Sequence, residues 1–287
     1  MALKVWMDGK LVDKSDAKVS VYDHGLLYGD GIFEGIRIYH GRVFEPDAHL
    51  QRLFDSAKAI RLTIPFTADQ LRTGIEETAK ANNFADCYVR LVVTRGAGYL
   101  GLNPNKCSAP STFIITDTIE MYPKEVYEKG MAVITASVIR NHPNAMSSRV
   151  KSLNYLNSIL AKIEAIDAGV PEAIMLNHLG NVAECTADNI FIVREGEVLT
   201  PAVTEGILEG VTRQVILKLC KNLNIPCAEK TLQRHDLYIA HECFLTGTGA
   251  EVVPVTKIDG RPVGSGQVGS LTRRLIDAFR RYIREGA

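Results

Sequence analysis

Lys151 lies between a Pro- and Ser-rich approach, residues 142–148, and a run with helical periodicity. In that run Leu153, Leu156, Leu160 and Ile163 repeat at helical spacing, Ile159 and Ile166 widen the apolar face, and Gly169 and Pro171 end it. The pattern puts the lysine at a helix start, where unpaired backbone N–H groups and the positive dipole end disfavour a protonated amine. A desolvated, neutral lysine is a nucleophile for an aldehyde, so Schiff-base chemistry is within its reach. A solvated helix flank accounts for the same spacing. Tyr155 follows four residues on, on the same side of such a helix, where its hydroxyl would reach whatever the lysine holds.

Other residues could take anions or cations. Glu184 is a lone carboxylate among small and apolar neighbours, and if buried it needs a cationic partner, for which a protonated pyridine nitrogen is one candidate. Residues 206–217 enter a helix through Gly206 and Gly210, with Val211 and Thr212 at its start, an arrangement that suits a phosphate. Thr248, Gly249 and Ala250 form a small-residue loop after an apolar strand and can present N–H and hydroxyl donors. Arg52 borders the apolar stripe of a helix spanning 47–60 and points either to water or to an interior anion. Arg90 alternates with Tyr88 and Val92, which makes it either a surface residue or a carboxylate receptor. Tyr28 and Phe33 suit an apolar pocket or ordinary strand packing.

The elements that must position these groups can be read in order. Residues 3–12 and 18–23 alternate like strands, with Asp8-Gly9 as a hairpin turn. A glycine-rich stretch, residues 23–35, marks a backbone that turns sharply or is closely approached. Its Gly29-Asp30-Gly31 is followed by a strand at 32–39 and no helix, so a dinucleotide loop fails its context. Helices follow at 47–60 and 67–82, then strands at 88–95, 111–117 and 131–139. The polar stretch 118–130 reads as a linker, with a small domain over 1–118 and a large one over 131–287. A helix opening at Ser152, strands at 172–176 and 187–193, a helix to Leu223, a strand near 244, a hairpin at 258–261 and a helix over 267–284 complete the chain.

Composition narrows the class further. The 287 residues are 46% hydrophobic and 23% charged, an ordinary globular balance. Lys+Arg and Asp+Glu are equal at 33, so no net field draws the chain to nucleic acid or an anionic membrane. Residues 1–9 have no apolar h-region and so do not read as a signal peptide, and no apolar run is long enough to span a bilayer. The six cysteines show neither paired nor metal-ligand spacing, which suits reduced thiols in a cytoplasmic protein and gives no metal site.

Taken together, these motifs resemble the fold-type IV pyridoxal-phosphate enzymes, and within them the branched-chain amino acid aminotransferases. The resemblance rests on Tyr28-Gly29-Asp30-Gly31-Ile32-Phe33-Glu34-Gly35-Ile36-Arg37, His49-Leu50-Gln51-Arg52-Leu53, Tyr88-Val89-Arg90 and Lys151-Ser152-Leu153-Asn154-Tyr155. Glu184 with Asn189, Glu209-Gly210-Val211-Thr212-Arg213 and Thr246-Gly247-Thr248-Gly249-Ala250-Glu251 extend it over nearly the full length. The resemblance implies two α/β domains, of α+β character, like the D-amino acid aminotransferases, with the cofactor between them. It implies transamination between L-leucine, L-isoleucine or L-valine and 2-oxoglutarate, as in branched-chain amino acid biosynthesis. The same fold also serves D-amino acid aminotransferases and aminodeoxychorismate lyases.

Site roles follow from the resemblance. Lys151 would join the aldehyde of pyridoxal 5'-phosphate and carry the proton; Glu184 would pair with the pyridine nitrogen; Tyr155 would bond O3′. Arg52, Val211, Thr212 and Thr248 would cup the phosphate. Tyr28, from a partner subunit, Phe33 and Tyr88 would line the substrate site. Arg90 would bind the distal carboxylate, and Gly249 and Ala250 the α-carboxylate. A homodimer is then the minimum assembly, with a hexamer open. Departures include Asp30-Gly31 in place of the common Thr-Ser, and Leu91 where proline is usual. The Arg-x-His trap of the D-amino acid enzymes is missing after Thr94-Arg95-Gly96, which favours the L-branched-chain reading.

Overall fold

The computed structural model describes residues 3–285. They divide into two compact units, one formed by the residues up to Ile119 together with Val150–Asn154, the other by Glu120–Arg149 and the residues from Tyr155 on.

The first unit is built on β1 (Lys4–Met7), β2 (Lys10–Asp13), α1 (His24–Tyr28), β3 (Gly31–Tyr39), β4 (Arg42–Val43), α2 (Pro46–Ala59), α3 (Ala68–Ala81), β5 (Cys87–Thr94) and β6 (Ser111–Asp117). Among the described residues its strands form one antiparallel sheet in the order β2-β1-β6-β5-β3-β4. Asp8 and Gly9 turn β1 into β2 with φ of 47° and 91°, the left-handed pair that Asp-Gly hairpins favour. Ile32, Ile36 and Ile38 on alternate positions of β3 meet Leu50, Leu53 and Ala57 of α2 and Leu71 and Ile75 of α3. Burying each such side chain contributes about 1.5–3 kcal/mol.

One expectation fails here. Residues 18–23 form no strand; they run irregularly into a turn, and only Asp23 is bridged, to Ala97. Val19 and Val21 alternate with polar residues but, with Tyr22, remain exposed, so the pattern had no sheet face to fill. The Asp23 side chain instead accepts from Gly25 N at 2.7 Å and caps α1, which Gly29 closes at φ 69°.

The second unit contains α4 (Lys124–Lys129), β7 (Met131–Thr135), α5 (Leu156–Asp167), β8 (Glu172–Leu176), β9 (Val182–Cys185), β10 (Asn189–Arg194), β11 (Glu197–Pro201), α6 (Val211–Asn222), β12 (Cys227–Lys230), α7 (Arg234–Tyr238), β13 (Glu242–Gly247), β14 (Glu251–Ile258), β15 (Arg261–Pro262) and α8 (Ser270–Glu285). Its strands follow the order β12-β11-β10-β13-β14-β7-β8-β9, with β15 against β14. β7 runs parallel to both β14 and β8, and β11 parallel to β12; the other pairings are antiparallel. Within 118–130, residues 124–129 are helical, and Tyr122, Val126 and Tyr127 pack on the core of Ile174, Ile190, Leu245 and Val253.

α5 starts at Leu156, four residues after the expected Ser152. It buries Ser158, Ala161 and Ala165, and the two alanines meet Ala173 and Met175 of β8. Small residues on this face let helix and sheet approach closely. The branched residues Leu156, Ile159, Leu160, Ile163 and Ile166 are all exposed.

Candidate active site

In the first unit Lys151 is held as an extra strand segment along β3. Phe33 N donates to Lys151 O (3.0 Å), Leu153 N donates to Gly31 O (3.0 Å), and Ser152 bridges Ile32. Lys151 N donates to Ser56 Oγ of α2 at 3.1 Å. A Cβ on Gly31 would come within 2.7 Å of Leu153, so the glycine admits this segment. The side chain runs across Phe33, with Nζ 4.5 Å from the ring centroid. Because the backbone here is extended, the helical step from Lys151 to Tyr155 does not exist; Tyr155 precedes the first turn of α5 in the second unit.

The Arg90 guanidinium lies against the same Phe33 ring, also at 4.5 Å, and donates through Nη2 to the Tyr88 hydroxyl at 3.0 Å. Register explains the grouping: Phe33, Gly35 and Arg37 of β3 stand opposite Val92, Arg90 and Tyr88 of β5, on one face of the sheet. Gly35 leaves space that the Tyr88 hydroxyl fills, since a Cβ there would collide with it. Among the described residues no carboxylate forms an ion pair with Arg90. A half-buried guanidinium held by a phenol and a ring is suited to an incoming carboxylate.

Behind this face, Glu34 is fully buried among the core isoleucines of β3. Arg52 donates to it twice, Nε to Oε1 at 2.8 Å and Nη2 to Oε2 at 2.7 Å, and His49 Nδ1 lies 2.8 Å from Oε2. Burial pulls the carboxyl's pKa upward, but the Arg52 charge and the hydrogen bonds from Arg52 and His49 outweigh it and hold Glu34 at about 2. Burial drives the His49 pKa down, against Glu34 and together with the Arg52 and Lys151 charges, so the imidazole is neutral near pH 7.

In the second unit Glu184 lies in β9 and is buried. Arg140 donates to Oε1 from Nε (2.9 Å) and Nη2 (2.7 Å), Asn189 Nδ2 donates to Oε2 (2.9 Å), and Leu208 N lies 3.1 Å from both oxygens. The expected lone carboxylate therefore has a cation within the chain, Arg140, which Ser158 also engages through its hydroxyl at 3.0 Å. Asn189 further donates to Leu208 O at 2.9 Å and pairs with Thr246 across β10 and β13. These bonds bring Glu184, the 208–210 approach to α6 and the end of β13 to one end of the sheet.

α6 begins there without a side-chain cap: Gly210 occupies the cap position, and a Cβ on it would collide with Asn189. The Thr212 hydroxyl in its first turn is buried and has no hydrogen-bond partner among the described residues. Uncapped N–H groups and an orphaned hydroxyl fit a phosphate dianion. Thr248, Gly249 and Ala250 form the tight turn between β13 and β14 at this end, following Gly247, whose Cβ would strike Asp188. A ring carrying a phosphate and a basic nitrogen fits the chemistry of this donor set.

Of the expected residues, Lys151, Phe33, Tyr88 and Arg90 come together in the first unit, with Arg52 turned to Glu34. Glu184, Val211, Thr212, Thr248, Gly249 and Ala250 gather in the second. Tyr28 closes α1 on an exposed apolar surface, with polar and ring contacts to Gly101 (2.9 Å) and His24 rather than to Phe33 or Arg90. The sequence reading gave no role to Glu34, His49, Ser56 or Arg140. Glu34 carried a signal, an acid at a core position of an isoleucine-lined strand. Arg140 carried none, as it sits 44 residues from its partner.

The model of the family described as amino-transferase class IV matches residues 31–258. A relative from Methanocaldococcus jannaschii is 51% identical over 97% of this chain and 96% of its own. The branched-chain amino acid aminotransferase structure from Escherichia coli superposes with a TM-score of 0.96 at 36% identity, covering 99% of this chain and 95% of that one. The branched-chain amino acid aminotransferase of Thermobaculum terrenum in its pyridoxal-phosphate holo-form gives 0.91 at 29% identity, covering 99% and 94%.

Proposed function

This chain belongs to the amino-transferase class IV family, and on that premise we propose how its residues carry out transamination between L-branched-chain amino acids and 2-oxoglutarate. The enzyme is a pyridoxal 5'-phosphate-dependent transferase that forms branched 2-oxo acids and L-glutamate. When bound, the cofactor supplies an aldehyde for the amino group and a protonated ring that takes up the electron pair left at Cα.

Lys151 provides the amine for that aldehyde, and its Nζ takes and returns the proton at the substrate Cα. Backbone bonds on both sides and the Phe33 ring hold the side chain to one course, which is the preorganisation that proton transfer needs. Glu184 would pair with the pyridine nitrogen, and Arg140 and Asn189 hold its carboxylate in place. The first turn of α6, with Val211 and Thr212, would take the phosphate, for which Arg52 and Thr248 are the further assigned donors. Tyr155 would donate to the ring oxygen O3′. Gly249 and Ala250 receive the α-carboxylate.

Substrate choice requires one pocket to accept both an aliphatic chain and a distal carboxylate. Phe33 and Tyr88 supply apolar walls, and Arg90 supplies the charge. Tyr28 completes the pocket from a second copy in a homodimer. Two exposed apolar surfaces support that assembly, the α5 face and the region of Leu26, Tyr28, Leu100 and Leu102.

The observation that carries this reading is Arg90, a guanidinium without a carboxylate partner among the described residues, lying on the same ring as Lys151. Arg90→Ala is expected to raise KM for 2-oxoglutarate at least about tenfold, the scale of a hydrogen bond to a charged group. KM for L-leucine should stay within about twofold. Equal losses for both substrates would make Arg90 structural.

A further inference from the structure

We propose that Glu34 is a positioning residue that aims the Arg52 guanidinium at the cofactor phosphate, with His49 as the second hold on Glu34. The inference rests on the assignment of Arg52 to the phosphate and extends it to two side chains that touch neither cofactor nor substrate. Glu34 is an expensive residue for packing alone. It occupies a fully buried position on the core face of β3, where Ile32, Ile36 and Ile38 fill the equivalent places. A carboxylate withdrawn from water there is tolerated only when its oxygens are engaged by good donors. Both are: Oε1 takes Arg52 Nε, and Oε2 takes Arg52 Nη2 and the His49 ring.

This is a two-pronged carboxylate–guanidinium contact, and it fixes the plane of the arginine as well as its distance. Because the guanidinium is planar with five N–H donors, engaging the Nε edge directs the Nη1 edge away from Glu34. An unclamped arginine would have to give up its side-chain freedom each time it met a dianion. His49 contributes a hydrogen bond without another charge. A neutral imidazole donating from Nδ1 keeps Nε2 as an acceptor, and Nε2 is buried without a partner among the described residues. A lysine or arginine at this place would bring a further cation close to Arg52 and compete with it for Glu34.

The test is equilibrium titration of the full-length chain, freed of cofactor, with pyridoxal 5'-phosphate and with pyridoxal, which lacks the phosphate. The variants are Arg52→Ala, Glu34→Gln, their double, His49→Ala and His49→Asn. Arg52→Ala and Glu34→Gln should each weaken the phosphorylated form at least about tenfold and pyridoxal less than about twofold. The double variant should bind no more weakly than Arg52→Ala, because Glu34 acts through Arg52. His49→Ala should show a smaller loss that is again specific to the phosphate, and His49→Asn, which keeps a donor, should recover it. If Glu34→Gln does not fold, the His49 pair decides. Equal losses for both ligands, or additive losses in the double variant, would overturn the proposal. If Arg52→Ala weakens the phosphorylated form while Glu34→Gln and His49→Ala bind normally, the positioning role alone falls. An unchanged preference in Arg52→Ala would remove the phosphate assignment and the positioning role with it.

Discussion

The Phe33 ring centroid lies 4.5 Å from both Lys151 Nζ and the Arg90 guanidinium. Such a contact contributes about 0.5–2 kcal/mol, depending on how far the cation is desolvated. It brings the amine proposed for the cofactor and the charge proposed for the substrate to one aromatic side chain. Lys151→Ala should abolish both the absorbance of the lysine-bound cofactor and turnover; an intact band in that variant would refute the assignment. Lys162→Ala is the control, because Lys162 is tied to the Pro171 carbonyl and to Glu172. Lys151 stood out in the sequence as a chemical candidate, on a helical spacing that the structure does not show. Helical spacing suggested that Tyr155 shares its side of a helix. The residue is instead in an extended segment whose neighbours, Gly29 and Gly31, were visible only as a glycine-rich stretch. The carboxylates fared differently from one another. Glu34 could be suspected from its place among alternating isoleucines, whereas the Arg140 partner of Glu184 follows from a tertiary contact with no periodic trace.

At the level of elements, α5 has the more surprising packing. Its apolar periodicity was plain in the sequence, and such a face normally enters the core of its own chain. Here the helix packs through Ser158, Ala161 and Ala165, and its larger residues point outward. Periodicity tells that a face wants burial and is silent about which molecule buries it. A second copy of the chain, in the homodimer proposed above, would supply a cover. Ile163→Glu, alone or with Ile159→Glu, should shift the sedimentation mass from dimer toward monomer at micromolar concentration without lowering helical content. The substituted positions are about half exposed in the single chain, at 46% and 52%, so the fold does not depend on them. A mass unchanged by both charges would exclude this face as the subunit contact.

Across the whole molecule, the order of elements was largely readable because each long strand and helix satisfies its own period. The hairpin at Asp8-Gly9, the helices over Pro46–Ala59 and Ala68–Ala81, and the strand over Cys87–Thr94 all lie close to where their patterns end. The return of Val150–Asn154 to the first unit was not readable, because a five-residue segment has no period of its own and is held by hydrogen bonds to β3. That return gives the first unit its lysine, while the second carries the carboxylate, helix start and hairpin turn that suit the ring and the phosphate. The account's central claim is the transamination of L-branched-chain amino acids, and the most direct measurement of it is product formation from separate amino donors. Holoenzyme with 2-oxoglutarate should release the branched 2-oxo acid and L-glutamate from L-leucine, and no pyruvate from D-alanine or aminodeoxychorismate. Pyruvate from either of those two, with no 2-oxo acid from L-leucine, would contradict it.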